Sequence, residues 1–218
     1  MKTYILVQGG NMSTETWNKL SGQKISTENG HMGASYWNDT LKALISAGHR
    51  AFAPELKNEF ESDLTGHIQQ IMNFILGNDL KNIILVGHSY GGFVITGIAD
   101  KLSGRIRNLV YLDSALPEPG ESLIEILNRT YDKEQYEAAL PEPSPPYVEP
   151  LQYLPENIML LDKTYIRCLK SEFIEVTKLA KEKIENSYES WTYYELDSSH
   201  VPMADQPREL NKILLKID

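Results

Sequence analysis

Short apolar runs alternate with longer segments of mixed polarity along the whole chain. Several of these runs are apolar without a break in their centre, as expected for strands that are covered on both faces of a sheet. The runs predict six strands, at residues 3–8, 50–55, 82–87, 107–113, 164–170 and 191–197.

Between the predicted strands, apolar residues recur at helical spacing. This spacing is clearest at Ile68, Ile71, Met72 and Ile75. The predicted helices span 38–47, 64–76, 91–102, 172–186 and 205–215. Strand–helix alternation of this kind predicts an α/β fold in which a mainly parallel, six-stranded sheet carries helices on both faces. The ligand site of such a sheet lies outside the carboxyl ends of its strands.

One segment, at about 116–155, interrupts the alternation. It contains most of the prolines and the aromatic residues Tyr131, Tyr136, Tyr147 and Tyr153. It lies between the fourth and fifth predicted strands, where it can cover the strand ends. We expect a short proline-rich lid inserted into a single domain of residues 1–218. The alternative is a stiff surface loop that has no role in function.

Composition limits the classes of binding partner and the cellular compartment that we expect for the protein. The chain has 21 basic and 30 acidic residues, a net charge of −9, which argues against nucleic acid or a membrane surface as partner because both need a basic footprint. Cys168 is the single cysteine, so an internal disulfide framework is excluded. No stretch approaches the roughly 20 apolar residues of a membrane helix, and the N-terminal apolar run is too short for a signal peptide. We therefore expect a cytoplasmic protein.

The residues Gly87-His88-Ser89-Tyr90-Gly91 form the candidate catalytic motif. They fit the pattern G-x-S-x-G and lie between a predicted strand and a predicted helix, the context in which that pattern forms a nucleophile elbow. The glycines leave room where backbone segments meet in a sharp turn, and the following helix directs its N-terminal amides at the serine. Ser89 is therefore the candidate nucleophile.

A serine hydroxyl needs a general base to take its proton. Of the five histidines, His200 follows the last predicted strand, late in the chain, as the order serine, acid, histidine requires. His31, in a glycine-bearing loop near the first strand, is not excluded from the site. An oxyanion hole needs two backbone N–H groups. We assign them to Tyr90, directly after the serine, and to Gly10, in the loop after the first strand.

These features resemble the α/β-hydrolase superfamily, in particular the compact branch that contains plant methylesterases and hydroxynitrile lyases. Besides the elbow, the resemblance rests on residues 41–54 (LKALISAGHRAFAP), 110–119 (VYLDSALPEP), 165–168 (YIRC) and 199–207 (SHVPMADQP). It implies the α/β-hydrolase fold and hydrolysis of small carboxylic esters through an acyl-enzyme. It also implies that no metal and no organic cofactor takes part.

Apart from the position of the acid, two positions depart from this branch. The branch usually has histidine and glycine after the first strand, and this chain has Gln8 and Gly9. The lyases of the branch have a lysine directly after the catalytic histidine, and the residue here is Val201. Cyanohydrin cleavage is therefore not expected.

The acid of the triad has two candidates. In the branch it follows the fifth strand, at the position of Ser171 here, and Glu172 is adjacent. Asp113 ends the fourth strand, from which some lipases of the superfamily take their acid. Asp162 lies at the wrong end of the sheet, and Asp197 would need a tight local loop to face the imidazole. Asp113 is our choice and Glu172 the alternative.

A short repeat follows the first strand. Gly10-Asn11-Met12 and Trp17-Asn18 recur, offset by 20 residues, as Gly30-His31-Met32 and Trp37-Asn38. We hypothesise a local duplication that inserted residues 11–30; chance matching is the alternative. The insert is expected to border the pocket mouth and to help select substrates.

The sequence thus predicts a serine hydrolase, a carboxylesterase that acts on a small-molecule ester through an acyl-enzyme. One alternative is a receptor-like protein that binds a ligand on a hydrolase scaffold with little or no turnover. Another is a peptidase or amidase that uses the same triad.

Overall fold

A sheet of six parallel strands, in the order β2-β1-β3-β4-β5-β6, forms the centre of the computed structural model, which describes residues 1–131 and 144–218. The strands are β1 (Thr3–Val7), β2 (Arg50–Phe52), β3 (Ile83–His88), β4 (Ile106–Leu112), β5 (Asp162–Cys168) and β6 (Trp191–Leu196). The prediction of a six-stranded, mainly parallel sheet is confirmed. Each predicted strand is present, with ends shifted by a few residues.

Helices pack on both faces of the sheet, as predicted. The described α-helices are Thr14–Ser21, Asn38–Ser46, Leu64–Gly77, Gly91–Leu102, Leu123–Thr130, Pro145–Val148, Pro155–Ile158, Ile174–Glu185, Pro202–Asp205 and Pro207–Lys216, with 3₁₀ turns at Gly33–Trp37 and Ser103–Arg105. The last predicted helix, 205–215, is observed as Pro207–Lys216, and Gln206 divides it from a separate short helix, Pro202–Asp205. The division follows because Pro207 has no N–H with which to continue the first of the two helices.

Five of the described α-helices were not predicted from the apolar spacing, and the two longest of them are Thr14–Ser21 and Leu123–Thr130. Each of these two is 8 residues long and begins at a serine cap. The Ser13 side chain accepts a backbone N–H of the first turn, and Ser122 forms a capping box with Glu125. Caps of this kind satisfy N–H groups that the first turn leaves without partners. The serine caps set where these helices begin, while their apolar side chains Trp17, Ile126 and Leu127 are buried in the core.

The two faces of the sheet bury separate apolar clusters, because side chains alternate along each strand. On β3, Leu85 belongs to the cluster that contains Phe93 of the helix after the elbow. Its neighbour Val86 belongs to the cluster that contains Leu44 and Leu214 on the opposite face. The strand β3, which leads into the turn at Ser89, is therefore held between the two apolar clusters on the opposite faces of the sheet.

Residues 11–30, the hypothesised insertion, form a loop whose two ends lie close together. Ser13 and His31, near its two ends, pair in an antiparallel bridge. The two copies of the repeat adopt different structures, since Trp17 lies in an α-helix and Trp37 ends a 3₁₀ turn. The duplication therefore stays a hypothesis.

Part of the expected lid, residues 132–143, lies outside the described residues. On either side of this gap, Leu123, Leu127 and Tyr147 contribute to the wall of the cavity that holds Ser89. The lid itself stays a prediction.

Candidate active site

Ser89 lies at the tip of a sharp turn between β3 and the helix Gly91–Leu102. Its φ of 55° is in the left-handed region, which residues with a Cβ rarely adopt and which costs about 1–3 kcal/mol. A Cβ on Gly87 would lie 2.5 Å from the carbonyl oxygen of Gly91, and a Cβ on Gly91 would lie 2.8 Å from that of Val7. The turn therefore requires glycine at both positions.

A carboxylate and an imidazole meet beside this turn. Asp113, directly after β4, is 2% exposed, and His200, in the loop after β6, is 7% exposed. His200 Nδ1 lies 2.7 Å from Asp113 Oδ2. Because an ionised carboxylate only accepts hydrogen bonds, Nδ1 carries the proton and the Nε2 of a neutral imidazole is left as an acceptor.

Two further donors hold the Asp113 carboxylate. The backbone N–H of Cys168 donates to Oδ1 over 2.8 Å, and the hydroxyl of Ser171 donates to Oδ2 over 2.5 Å. The parallel register of β4 and β5, with Leu112 opposite Ile166, brings these groups together. The serine at the position where the branch has its acid thus contacts the carboxylate of the neighbouring strand.

The other acidic candidates lie elsewhere. Glu172 Oε2 accepts the backbone N–H of His200 over 3.1 Å, so it holds the loop rather than the ring. Asp197 forms an ion pair at the surface, where its side chain is 71% exposed. Asp162 begins β5, at the amino end of the sheet. Of the candidates weighed from the sequence, only Asp113 contacts the imidazole.

Ser89, Asp113 and His200 all line one cavity of about 300 Å³. Its apolar wall includes Met12, Ala115, Leu123, Leu127, Phe173 and Val176. The ring of Phe173 packs against the imidazole, with centroids 4.6 Å apart. Within the described residues, Ser89 Oγ and His200 share no hydrogen bond. Such bonds are often long until a substrate is bound.

Gly10 and Tyr90 line the same cavity. In the part of the chain that the structure describes, the backbone N–H groups of both residues have no acceptor. The N–H of Gly9, by contrast, donates to the Tyr36 hydroxyl over 2.6 Å. A Cβ on Gly10 would lie 2.5 Å from the hydroxyl oxygen of Tyr147. Two unused N–H groups beside a serine are what an oxyanion hole requires.

His31 and His67 line a second, more polar cavity of about 440 Å³ and do not border Ser89. His67 Nδ1 lies 3.0 Å from the Tyr90 hydroxyl, and His67 Nε2 lies 3.0 Å from the carbonyl oxygen of Lys57. Burial lowers the pKa of His67. The two ring nitrogens of this histidine thus link the helix Leu64–Gly77 to the elbow and to the segment after β2.

Three residues around the site have no site role predicted from the sequence: Tyr36, Phe173, and Tyr147, which the sequence predicts only as part of the expected lid. Tyr36 bonds to the loop after β1, Tyr147 closes over Gly10, and Phe173 covers the imidazole. Their places depend on contacts between distant segments, and no local motif marks them.

Across residues 1–131 and 144–218, no group of at least 3 His, Cys, Asp or Glu side chains could hold a metal ion. No helix in those ranges is long and apolar enough to cross a membrane. Burial and the nearby Asp113 raise the pKa of the Cys168 thiol, which disfavours the thiolate that binds metals.

The profile of the alpha/beta hydrolase family matches residues 29–213 of the chain. Over 111 residues, 47% of this chain and 46% of the relative, the chain is 41% identical to "Carbendazim hydrolyzing esterase" of Nocardioides sp. (strain SG-4G). It is 20% identical to "Putative methylesterase 15, chloroplastic" of Arabidopsis thaliana, over 86% of this chain and 54% of the relative. The chain therefore spans about half the length of these curated relatives.

Solved structures share the fold across nearly the whole chain. The structure of polyneuridine aldehyde esterase matches with a TM-score of 0.75 at 19% identity, over 99% of this chain and 98% of the other. An extracellular alpha/beta-hydrolase from a Paenibacillus species matches with a TM-score of 0.73 at 19% identity, also over 99% and 98%. At this level of identity, the match shows the common fold.

Proposed function

The chain belongs to the alpha/beta hydrolase family, and we propose that it is a serine carboxylesterase that cleaves small carboxylic esters through an acyl-enzyme. The observation that carries the proposal is the contact of 2.7 Å between His200 Nδ1 and Asp113 Oδ2 at the wall of the cavity that holds Ser89. The names of the relatives, which include esterases, agree with this reaction class.

Each residue has a role in the proposed acylation. His200 accepts the proton of Ser89 at Nε2 as the hydroxyl oxygen attacks the ester carbonyl. Asp113 keeps the proton of the imidazole at Nδ1 and stabilises the imidazolium that forms. The N–H groups of Gly10 and Tyr90 receive the negative charge on the carbonyl oxygen, and the loss of one such donor costs about 10²–10³-fold in rate.

The intermediate then collapses and expels the alcohol, which takes its proton from the imidazolium of His200. A water molecule, activated by the same imidazole, attacks the acyl-enzyme and releases the acid and Ser89. The sequence of steps consumes one water per ester. Every proton in it is carried by His200.

The cavity favours a small, mainly apolar acyl or alcohol group. Its volume of about 300 Å³ is at the small end for ligand sites, and apolar side chains dominate its wall. An uncharged group there removes apolar surface from water without leaving a buried charge unpaired. We therefore propose short esters rather than long-chain lipids as substrates.

The receptor-like alternative rests on two departures from the branch: Gln8 in the loop after the first strand, and the serine at position 171, where the branch has its acid. The buried carboxylate of Asp113 beside His200 supports turnover instead. Asp113 holds the imidazole of His200 in one tautomer, and Ser89 has a strained backbone. Ligand binding without turnover requires neither feature.

Steady-state hydrolysis of short-chain p-nitrophenyl esters tests the proposal. Ser89→Ala should lower kcat by about 10⁴-fold or more. Ser46→Ala, at an exposed serine that ends the helix Asn38–Ser46, is the matched control and should leave turnover unchanged.

A fluorophosphonate provides a second test, because it reacts with an activated serine without any ester turnover. Mass spectrometry should find the adduct on Ser89 in the wild type and no adduct in Ser89→Ala. Near-wild-type activity in Ser89→Ala, or an adduct on a different residue, would refute the proposal.

A further inference from the structure

A chain of buried hydrogen bonds runs beneath the candidate site and joins its separate parts. The Gly9 N–H lies 2.6 Å from the Tyr36 hydroxyl oxygen, which lies 3.1 Å from His88 Nδ1. His88 Nε2 lies 2.7 Å from the carbonyl oxygen of His200. Tyr36 and His88 are each 2% exposed. The chain thus connects the loop after β1, the elbow and the loop of the proposed base.

The chemistry of its two ends fixes the direction of every bond. The Gly9 N–H can only donate, so the Tyr36 oxygen accepts from it and directs its own proton to His88 Nδ1. The carbonyl of His200 can only accept, so His88 carries its proton on Nε2. One neutral tautomer of His88 satisfies all three bonds.

The surroundings keep His88 in this neutral form. Burial lowers the pKa of His88 well below its usual value, and the nearby His200 ring lowers it further. The two imidazole rings are 4.7 Å apart at their centroids. A second proton on His88 would remove the acceptor for the Tyr36 hydroxyl and place two cations side by side if His200 is also protonated.

Each group held by this chain is adjacent to a proposed catalytic group. Gly9 precedes Gly10, whose N–H is a proposed oxyanion donor, and His88 precedes Ser89. A Cβ on Gly9 would lie 2.8 Å from the Cβ of Ser89, so the two loops are in direct contact. The carbonyl held by His88 belongs to His200 itself.

We propose that His88 and Tyr36 are positioning residues that hold the oxyanion loop and the base loop at fixed distances from Ser89. This inference rests on the proposed esterase function and assigns these residues no contact with the substrate. Reacting groups displaced by about 1 Å can lose 10²-fold in rate, so a loosened loop should affect the transition state more than substrate binding.

The main variant is Tyr36→Phe, which keeps the ring and removes the hydroxyl that links Gly9 to His88. The matched control is Tyr4→Phe. Tyr4 is buried in the same apolar cluster as Tyr36, and its hydroxyl donates to the carbonyl oxygen of Leu214 over 3.0 Å, away from the site. Each exchange removes a buried tyrosine hydroxyl, so a purely structural role predicts similar effects of the two on the melting temperature.

For Tyr36→Phe we expect kcat for a p-nitrophenyl ester to fall about 10–100-fold with KM changed less than about 3-fold. Affinity for a trifluoromethyl ketone, which forms a tetrahedral adduct, should fall in parallel with kcat/KM. Tyr4→Phe should keep both quantities within about 2-fold of the wild type. His88→Gln, which can still donate to the His200 carbonyl, should lose less than His88→Leu.

Equal kcat values in Tyr36→Phe and Tyr4→Phe would overturn the inference. So would a loss in Tyr36→Phe that appears only in KM. The rate of fluorophosphonate labelling at Ser89 needs no turnover and should fall in Tyr36→Phe alone. If the wild type labels but hydrolyses no ester, the proposed function fails, while the labelling comparison still decides the role of Tyr36.

Discussion

Replacing Asp113 by asparagine exchanges one carboxylate oxygen for an NH₂ group. The exchange reverses the direction of the hydrogen bond between this side chain and His200. The backbone N–H of Cys168 requires an acceptor at the Oδ1 position, so the amide oxygen of the new side chain must lie there. The NH₂ group then takes the Oδ2 position, 2.7 Å from His200 Nδ1. Two N–H groups cannot face each other, so Nδ1 must give up its proton and Nε2 must carry it.

The resulting imidazole can no longer accept the proton of Ser89. Replacement of a triad acid by its amide lowers kcat by about 10⁴-fold, which corresponds to roughly 5.4 kcal/mol in the barrier. The effect on folding should be small, because asparagine has nearly the same shape and tolerates the positive φ of 44° at this position. The Ser171 hydroxyl can rotate to accept from the new NH₂ group.

The assay is the kcat of a short p-nitrophenyl ester for Asp113→Asn, with thermal unfolding of the same preparation. Glu172→Gln is the matched control, because its amide oxygen can still accept the backbone N–H of His200. It should stay within about 10-fold of the wild type. If Asp113→Asn turns over normally and Glu172→Gln is inactive, the acid has been assigned wrongly.

Three further predictions concern the acid of the triad, the cavity wall and the buried thiol. In an Asp113→Gly background, Ser171→Asp should restore turnover at least about 10-fold, because the Ser171 side chain already reaches the carboxylate oxygen that contacts the imidazole; equal activity of the single and double variants would contradict this. Leu127→Ala should shift the preference among p-nitrophenyl esters toward longer acyl chains, since this buried side chain lines the cavity; an unchanged profile would show that the acyl group lies elsewhere. The Cys168 thiol should resist iodoacetamide in the native protein and react after denaturation, because its raised pKa and burial keep it protonated and covered near neutral pH; mass spectrometry distinguishes the two cases.

The sequence predicted the sheet because each strand is a local apolar run, and such runs need no knowledge of the rest of the chain. It also located Ser89 through a motif whose glycines are required by contacts within a few residues and with β1. The choice between Asp113 and Glu172 was harder, because it depends on which side chain the register of β4 and β5 directs at the ring.

The chain of bonds through His88 could not be predicted in this way. Its bonded residues are separated by 27, 52 and 112 positions along the sequence. Hydrogen bonds between residues so far apart produce no periodic pattern in the sequence. Within the motif G-x-S-x-G, His88 occupies a position at which the pattern specifies no residue type. Its role depends on a tyrosine that lies after the insertion and on a carbonyl near the end of the chain.

The two ends of the segment 11–30 lie side by side, while its buried Trp17 packs in the apolar cluster that contains Tyr36. The N–H of Thr14 donates to the carbonyl oxygen of Gly30, and the N–H of Met32 donates to that of Met12, each over 2.8 Å. The segment therefore begins and ends at the same place on the rest of the domain. Loop closure costs only about 0.6 kcal/mol for each doubling of length, so segments of different size that keep the buried Trp17 can be grafted between the same two ends. Because Met12, Ser13 and Thr16 line the cavity, such grafts offer a route to new ester preferences in which the nucleophile, base and acid are left untouched.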